Sequence, residues 1–590
     1  MSAEVGAPTA PAPGRVVRLL ARAGTDGRER GGVLVLVVGA VAVLTAFALV
    51  VLLAAVTAAP LSRRAQDART ATAAAQAGLD DYLARLVANP SYYTASGTGV
   101  DTTNPAFTSV GVAVAGGAGA RFRYQLLTSP DQTVQDGVIR LRATGTSRGV
   151  SRSLTASLKQ SGFLDYVYFS DLEVVDPALV RPNAVDAYVD GVGWNDASGR
   201  FSPDPTTYAA KCGQYLYAGR HSYGDTSSSY SSYTSSSSTP YYVVDGSGTR
   251  VASSTYGKAV FFQCSPISFG SGDVIDGPLH TNDAIRISSG GVTFTSPVTE
   301  TGWADGSTPP PPAGSRWWGD GSPKSTGSKP VYAPVLQLPG SNGDLKARIV
   351  SEGTAAGCTY TGQTRIRFDG AVMKVLSPQT TLSTPGCFDA GQRQVEQSVS
   401  PVPPLVYVDD LPGTCSSSTG VGYPLADEAA RGATRIDYGC ANGTAFVQGT
   451  LSGQTTVAAA RDVVVTGDLT YATGLAGTDV LGLIPNGYVW VYNPQTSGNA
   501  RLLTTPVQKI DAGILSLQHS FLVQNYDRGG ELGTLTVRGT IAQKHRGIVK
   551  NGTNGYVKDY RFDKRLANLP PPYFLTPADS PWTVTRVSDG

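Results

Sequence analysis

TAFVQGTLSGQTTVAAARDVVVTGDLTY, residues 444–471, decides how most of this chain folds. Short β-branched runs alternate there with Gly, Gln and Asp, each run about four to six residues long, which reads as strands separated by turns. The same texture recurs in VIDGPLHTNDAIRIS (274–288) and GELGTLTVRGTIAQKHRG (530–547). Such runs are too short to cross a membrane as β-segments and too closely spaced to enclose crossover helices. Strands of this length, stacked rung on rung, would bury their apolar side chains against neighbours, so the expected body is a right-handed parallel β-helix. The alternative is a set of antiparallel β-sandwich domains, because no strict period runs through the chain. Either way the class is mainly β.

Working outward, the N-terminal region is different. Residues 31–59, beginning GGVLVLVVGAVAVLTAFALVVLLAAV, carry no charge. About 20 apolar residues span a hydrocarbon core, so this run predicts a transmembrane helix. Arg15, Arg18, Arg22, Arg28 and Arg30 precede it, while Arg63, Arg64 and Arg69 follow. That balance predicts a cytoplasmic N-terminus and an exported body. A cleaved secretory signal is the competing reading, with Thr57-Ala58-Ala59 as its small residues, although its apolar part would be unusually long.

The helix is expected to continue. Small or apolar residues at Ala65, Ala68, Thr72, Ala75, Leu79, Tyr82 and Leu86 step by four and three, a single stripe on a helix. Pro60 should kink the rod and Asn89-Pro90 should end it. Then RFRYQLL (121–127), GVIRLRATG (137–145) and SRSLTASLKQ (151–160) alternate as antiparallel strands, a small sheet suited to docking on the outer half of the rod.

The Arg-rich leader, Arg30-Gly31-Gly32, the apolar run and the stripe ending AAAQAGLDDYLARL together resemble the N-terminal segment of the PilX-type minor pilins, over roughly residues 27–88. That resemblance implies a rod whose apolar half packs in a membrane or pilus core and whose outer half docks on a β-sheet head. Pilins processed by the prepilin peptidase carry Glu five residues into the mature chain. Counted from Gly32 or Val33 that place holds Leu36 or Val37, and the run has no acidic residue. A second resemblance, to a bacterial family of membrane-anchored envelope proteins without an agreed activity, rests on FLDYVYFSDLE (163–173), DGPLHTND (276–283), ARDVVVTGDLTY (460–471), LGLIPNGYVWVYNP (481–494) and residues 541–574. It implies architecture and location.

Composition sets further bounds. With 47 Lys+Arg against 45 Asp+Glu the formal charge is +2, so the chain does not bind polyanions by bulk charge and no nucleic-acid partner is expected. Gly (69) and Pro (38) suit a turn-rich β protein. Six cysteines, Cys212, Cys264, Cys358, Cys387, Cys415 and Cys440, all follow the apolar run without CxxC spacing. Disulfides in an oxidising compartment account for them. Nearest-neighbour pairing (212–264, 358–387, 415–440) is the expectation, with buried free thiols as the alternative.

Sites are few. Asp276, His280, Asn282 and Asp283 could align on one face of a β-helix as an acid/base set. Turn residues that satisfy backbone groups explain them better. Lys544, His545, Arg546 and the charges to Arg565 could meet anionic glycans, or form a paired surface capping the solenoid. Trp317-Trp318, beside the proline run of residues 307–314, could stack on sugars or pin a loop. We assign no catalytic residue, cofactor or metal.

The expected order is therefore a cytoplasmic tail (1–30), a transmembrane helix (31–59), its extension (60–89) and a small pilin-like β domain (90–161). A solenoid-like body (162–574) with inserts at 222–258 and 303–330 and a C-terminal tail (575–590) follow. The function expected is a single-pass surface protein of pilus biogenesis or envelope assembly, with the bilayer, other pilin-like or envelope proteins, and wall or extracellular glycans as partners. A glycan-binding adhesin is the alternative, and a carbohydrate-active enzyme a more remote one.

Overall fold

The computed structural model describes residues 32–590 except 118, 161, 180–193, 196–200, 203–211, 219–242, 245–249, 252–265, 271, 308–309, 325–328, 416–419, 430–435, 578–579, 581 and 590. The Arg-rich tail (1–30), the Ser/Tyr-rich stretch 226–239 and Cys264 lie outside the described residues.

One helix, α1 (Gly32–Ala88), runs unbroken through Pro60. Its stretch Leu34–Leu53 has a mean hydropathy of 3.0 and none of it is buried. The outer half is packed. Ala71, Ala74, Ala75, Leu79, Tyr82 and Leu86 are all within 1% of complete burial. The expected stripe holds from Ala75 onward, whereas Ala65 and Thr72 are exposed. Every face of this Ala-rich stretch is small, so its periodicity left the buried face open until Leu79 and Tyr82 fixed it.

This half-helix lies on an antiparallel sheet of β1 (Val112–Ala113), β2 (Arg121–Leu126), β3 (Val138–Ser147) and β4 (Val150–Gln160). A seven-residue helix, α2 (Pro130–Asp136), bridges β2 and β3 with a Ser129 capping box. The inward positions Phe122, Tyr124, Leu141, Ala143, Ala156 and Leu158 form one core with Leu79, Tyr82 and Leu86. Gly145 allows the closest approach. A Cβ there would stand 2.0 Å from the Ala71 carbonyl oxygen and 2.4 Å from the Ala75 nitrogen. Only a residue without a side chain lets the helix settle this close.

The expected C-terminal tail is instead a strand. Trp582–Asp589 pairs antiparallel with β4, Trp582 opposite Gln160, and completes a five-stranded sheet. Trp582 is buried and donates its indole N–H to the Pro90 carbonyl at 3.0 Å. The last residues of the chain thus close a sheet begun some 470 residues earlier.

The body is built of parallel rungs, as a β-helix is, rather than of antiparallel sandwiches. One ladder runs, in spatial order, through Gly357–Thr361, Leu405–Asp409, Gln454–Ala459, Val480–Pro485, Lys509–Ser516 and Glu531–His545. It continues through Tyr168–Leu172, Leu279–Thr281, Thr299–Thr301 and Val331–Tyr332. A second face stacks Thr364–Gly370, Ala445–Leu451, Val463–Tyr471, Val489–Val491 and Phe521–Val523. In-register side chains make continuous apolar columns. Cys358, Val406, Val457, Leu483, Ile514, Ile541, Tyr168 and Leu279 stand one above another, each within 3% of complete burial. No single rung could hide its share alone.

Spatial order differs from chain order. The chain enters the stack in its middle at Tyr168, builds toward Val331–Tyr332, and returns along the outside to start again at Gly357. A strap carries it back. Leu336 exchanges hydrogen bonds with the Asn282 side chain, Gly340 accepts one from Gln518, and the Asn342 amide donates to the Ala459 and Ile484 carbonyls. Those anchors are about four and a half rungs apart, roughly 22 Å at ~4.8 Å per rung. Six extended residues reach about 20–22 Å, so the strap is nearly straight. The helix Gly343–Glu352 then lays Leu345 and Ile349 on the outer side of the ladder, against Leu405 and Tyr407.

Two of the expected disulfides are present, Cys358–Cys387 and Cys415–Cys440. Cys212 is also disulfide-bonded.

Candidate functional site

Where the last-built rung meets the first, charges gather. The strand Tyr168–Leu172 and the residues after it supply Asp171, Glu173 and Asp176, all buried. The neighbouring strand Glu531–His545 and the residue after it supply Lys544 and Arg546, and the turn before the strand Phe521–Val523 supplies His519. Each acid meets one base: Lys544 with Asp171, Arg546 with Glu173 at 2.5 Å, His519 with Asp176 at 2.6 Å. Parallel pairing of Gln543 with Ser170 and of His545 with Leu172 puts the two rows in register. The sequence held a signal for this that our reading missed: acids at 171 and 173 match bases at 544 and 546 with the same spacing of two.

Arg546 is 3% exposed, and its guanidinium lies 3.6 Å from the Phe269 ring centroid. His545 is buried as well, and burial pulls its imidazole down to about 4. The sequence offers both as ligand contacts or as part of a paired surface capping the solenoid; Arg546 is paired, and neither is at the surface, because the rung that carries them is covered by the next one. The charges farther along are paired too: Lys558 with Asp273, Arg561 with Asp559, Arg565 with Asp563. Burial would lower His519, but its bond to Asp176 wins and raises it. Burial likewise opposes ionisation of Asp176, and His519 and His545 together still hold it below the usual carboxylate range.

His280, Asn282 and Asp283 come together on the next rung, and Asp276 does not join them. Asp276 sits on another strand and accepts from the Thr295 hydroxyl at 2.6 Å. His280 stacks on Phe169, with its ring nitrogens at Glu300 (2.9 Å) and Asn282 (3.0 Å). Burial would raise Glu300, but the His280 contact and the Tyr166 hydroxyl lower it. Asn282 donates to Asp171 and to the Leu336 carbonyl. Asp283 accepts the Glu173 and Leu216 amides. Tyr215 and Tyr217 close over the group, bonding Asp171 and the Asn282 carbonyl. These side chains hold backbone, strap and rungs to one another.

The tryptophans lie on a strand of the third face, opposite Ile285 and Arg286. Both are half-buried; Trp317 donates to the Gly321 carbonyl, and the Arg286 guanidinium lies 4.9 Å from the centre of the Trp318 ring. The segment Gly145-Thr146-Ser147-Arg148-Gly149 has the Gly-x-Ser-x-Gly spacing of a nucleophile elbow. Here it is the tight connection between β3 and β4, with the Ser147 side chain buried. Among the described residues no group of three or more His, Cys, Asp or Glu is arranged to hold a metal. A cleft of about 280 Å³ separates the small sheet from the solenoid, with Tyr93, Gln160, Arg348, Tyr573 and Trp582 on its walls.

No family model matches the chain, and no curated protein matches it. Among solved structures it is similar to the crystal structure of competence-associated pilin ComZ from Thermus thermophilus, with 14% identity and a TM-score of 0.26, over 89% of this chain and 97% of that chain.

Proposed function

We propose that this chain is a single-pass envelope protein on the plan of the PilX-type minor pilins, anchored by α1, with its solenoid on the outer side of the cell membrane. It takes part in pilus biogenesis or in surface assembly, it has no catalytic step and no cofactor, and its partners are the bilayer and other pilin-like or envelope proteins. One observation carries the reading: a single continuous helix has two environments. Leu34–Leu53 is wholly exposed and apolar, about 30 Å long at 1.5 Å per residue, which matches a hydrocarbon core. An exposed apolar surface of that size marks a membrane or a partner. The outer half of the same helix is buried against a sheet. The disulfides support an oxidising compartment for the body.

Epitope tags at both ends and protease shaving of intact cells test the topology. The C-terminal tag should disappear while an N-terminal fragment stays in carbonate-washed membranes. Full-length protein in the soluble cytosolic fraction would overturn the proposal. Loss of pili or of a surface assembly on deletion tests the role.

A further inference from the structure

The five-stranded sheet buries one face under α1. The other face is basic. Paired residues of an antiparallel sheet share a face, and the pairings place Arg121 and Arg123 of β2, Arg140 and Arg142 of β3 and Arg586 of the C-terminal strand on the side away from the helix. All five are exposed. The remaining strand positions there are Gln, Thr and Ser, apart from Ala113, the buried Val138, and Lys159, which is buried against Asp165. No acidic residue occupies a strand position on that side, and among the described residues none of the five arginines is in an ion pair. This contrasts with the solenoid, where Arg365, Arg367, Arg461, Arg528, Arg561 and Arg565 all have carboxylate partners.

We propose that this face binds an anionic glycopolymer of the cell envelope through its carboxylate or phosphate groups. Five like charges without counter-charges attract a polyanion, and the guanidinium fork grips carboxylate and phosphate with two parallel hydrogen bonds. Arg123 and Arg142 stand diagonally across adjacent strands, about 7–8 Å apart at the backbone. Arg140 and Arg586 flank Ser157, with each other two strands away. Hydroxyls of Thr144, Ser153 and Thr155 fill the spaces between with groups suited to sugar hydroxyls. No aromatic ring occupies the face, so the stacking platform that single-stranded nucleic acid uses is missing.

Position argues against lipid headgroups. The sheet meets α1 from Ala71 onward, where Gly145 touches it, between the neighbours of Arg121 and Arg123. Eighteen residues separate Ala71 from Leu53, about 27 Å along the helix. Surface charge is screened within about 8 Å at physiological salt. This choice of partner rests on the anchored reading, while the charge of the face does not.

The test uses the full chain in nanodiscs of neutral phosphatidylcholine, with fluorescent polygalacturonate as probe. Binding should weaken with salt, and R123Q/R142Q should lose about tenfold in affinity. The control R367Q/R461Q removes as much charge from ion-paired exposed sites and should bind as the parent does. Unchanged binding by R123Q/R142Q, or an equal loss in the control, overturns the proposal. So does equal or tighter binding of a short oligothymidylate or of phosphatidylglycerol vesicles. Absent binding with membrane topology intact sinks this inference alone, whereas a cytosolic location sinks the anchored reading and leaves the affinities to be read.

Discussion

Replacing Gly145 with alanine should undock the outer half of α1. The added Cβ would stand 2.0 Å from the Ala71 carbonyl oxygen, and ordinary contact begins at 3.4 Å, so the helix must retreat by about 3.4 − 2.0 = 1.4 Å. The atoms in the way belong to the helix backbone, which cannot rotate aside as a side chain could. A gap of 0.5–1 Å already forfeits a quarter to a half of each dispersion contact. The contacts at stake are those of Ala71, Ala75 and Leu79 with the sheet. The loss should reach about 3 kcal/mol, the upper end of ordinary overpacking. At 1.4 kcal/mol per tenfold, the undocked population rises roughly a hundredfold. Hydrogen exchange of the amides of residues 71–86, in detergent or nanodiscs, reads that population. Gly340→Ala is the control, since a Cβ there meets nothing within 4 Å. Exchange in Gly145→Ala within about twofold of the parent protein would refute the argument.

At the rung junction, Glu173→Gln should cost about 3–5 kcal/mol in denaturant unfolding, because it strands the buried Arg546 charge; the double change to Leu at 173 and Met at 546 should recover most of it. Stability should fall on acidification from about pH 6.5 toward 4. His545 is neutral when folded, with its value depressed to about 4, so the unfolded chain takes up the proton first; the loss approaches 3 kcal/mol at ~1.36 per unit. His519, raised by Asp176, acts in the opposite sense: its contribution is full below pH 6.5 and fades as pH rises through its folded value. His545→Gln should flatten the acid limb of the profile, and an unchanged limb would assign it elsewhere. Trp582→Ala should cost about 3–5 kcal/mol and free the last strand; hydrogen exchange of the amides of residues 583–589 as slow as in the parent protein would count against that.

Much of the architecture could be read from residues. The charge-free run, the strand alternation of 121–160 and the short punctuated strands of the body each have a local physical signature, and they form a helix, an antiparallel sheet and parallel rungs respectively. Three features had little. The pairing of Trp582–Asp589 with β4 joins segments more than 400 residues apart, and only the alternation in WTVTRVSD hinted at a strand there. The order of the rungs is set by which surface each segment finds, and the middle entry at Tyr168 showed only in the matched spacing of the acids at 171 and 173 with the bases at 544 and 546. His280, Asn282 and Asp283, expected as turn residues or an acid/base set, are buried links between rungs and strap, because their partners, Glu300, Asp171, Leu336 and Glu173, come from three other segments.

Two covalent routes leave the small sheet for the solenoid, one after Gln160 and one before Trp582, and these two residues face each other across adjacent strands. A pull on the outer body is therefore shared between two tethers that start side by side. A force on the solenoid would have to tear out both β4 and the final strand, or break the α1 contact beneath them, before the two parts separated. A single linker of the same composition would let the head swivel; this double attachment gives it a fixed bearing relative to the stalk.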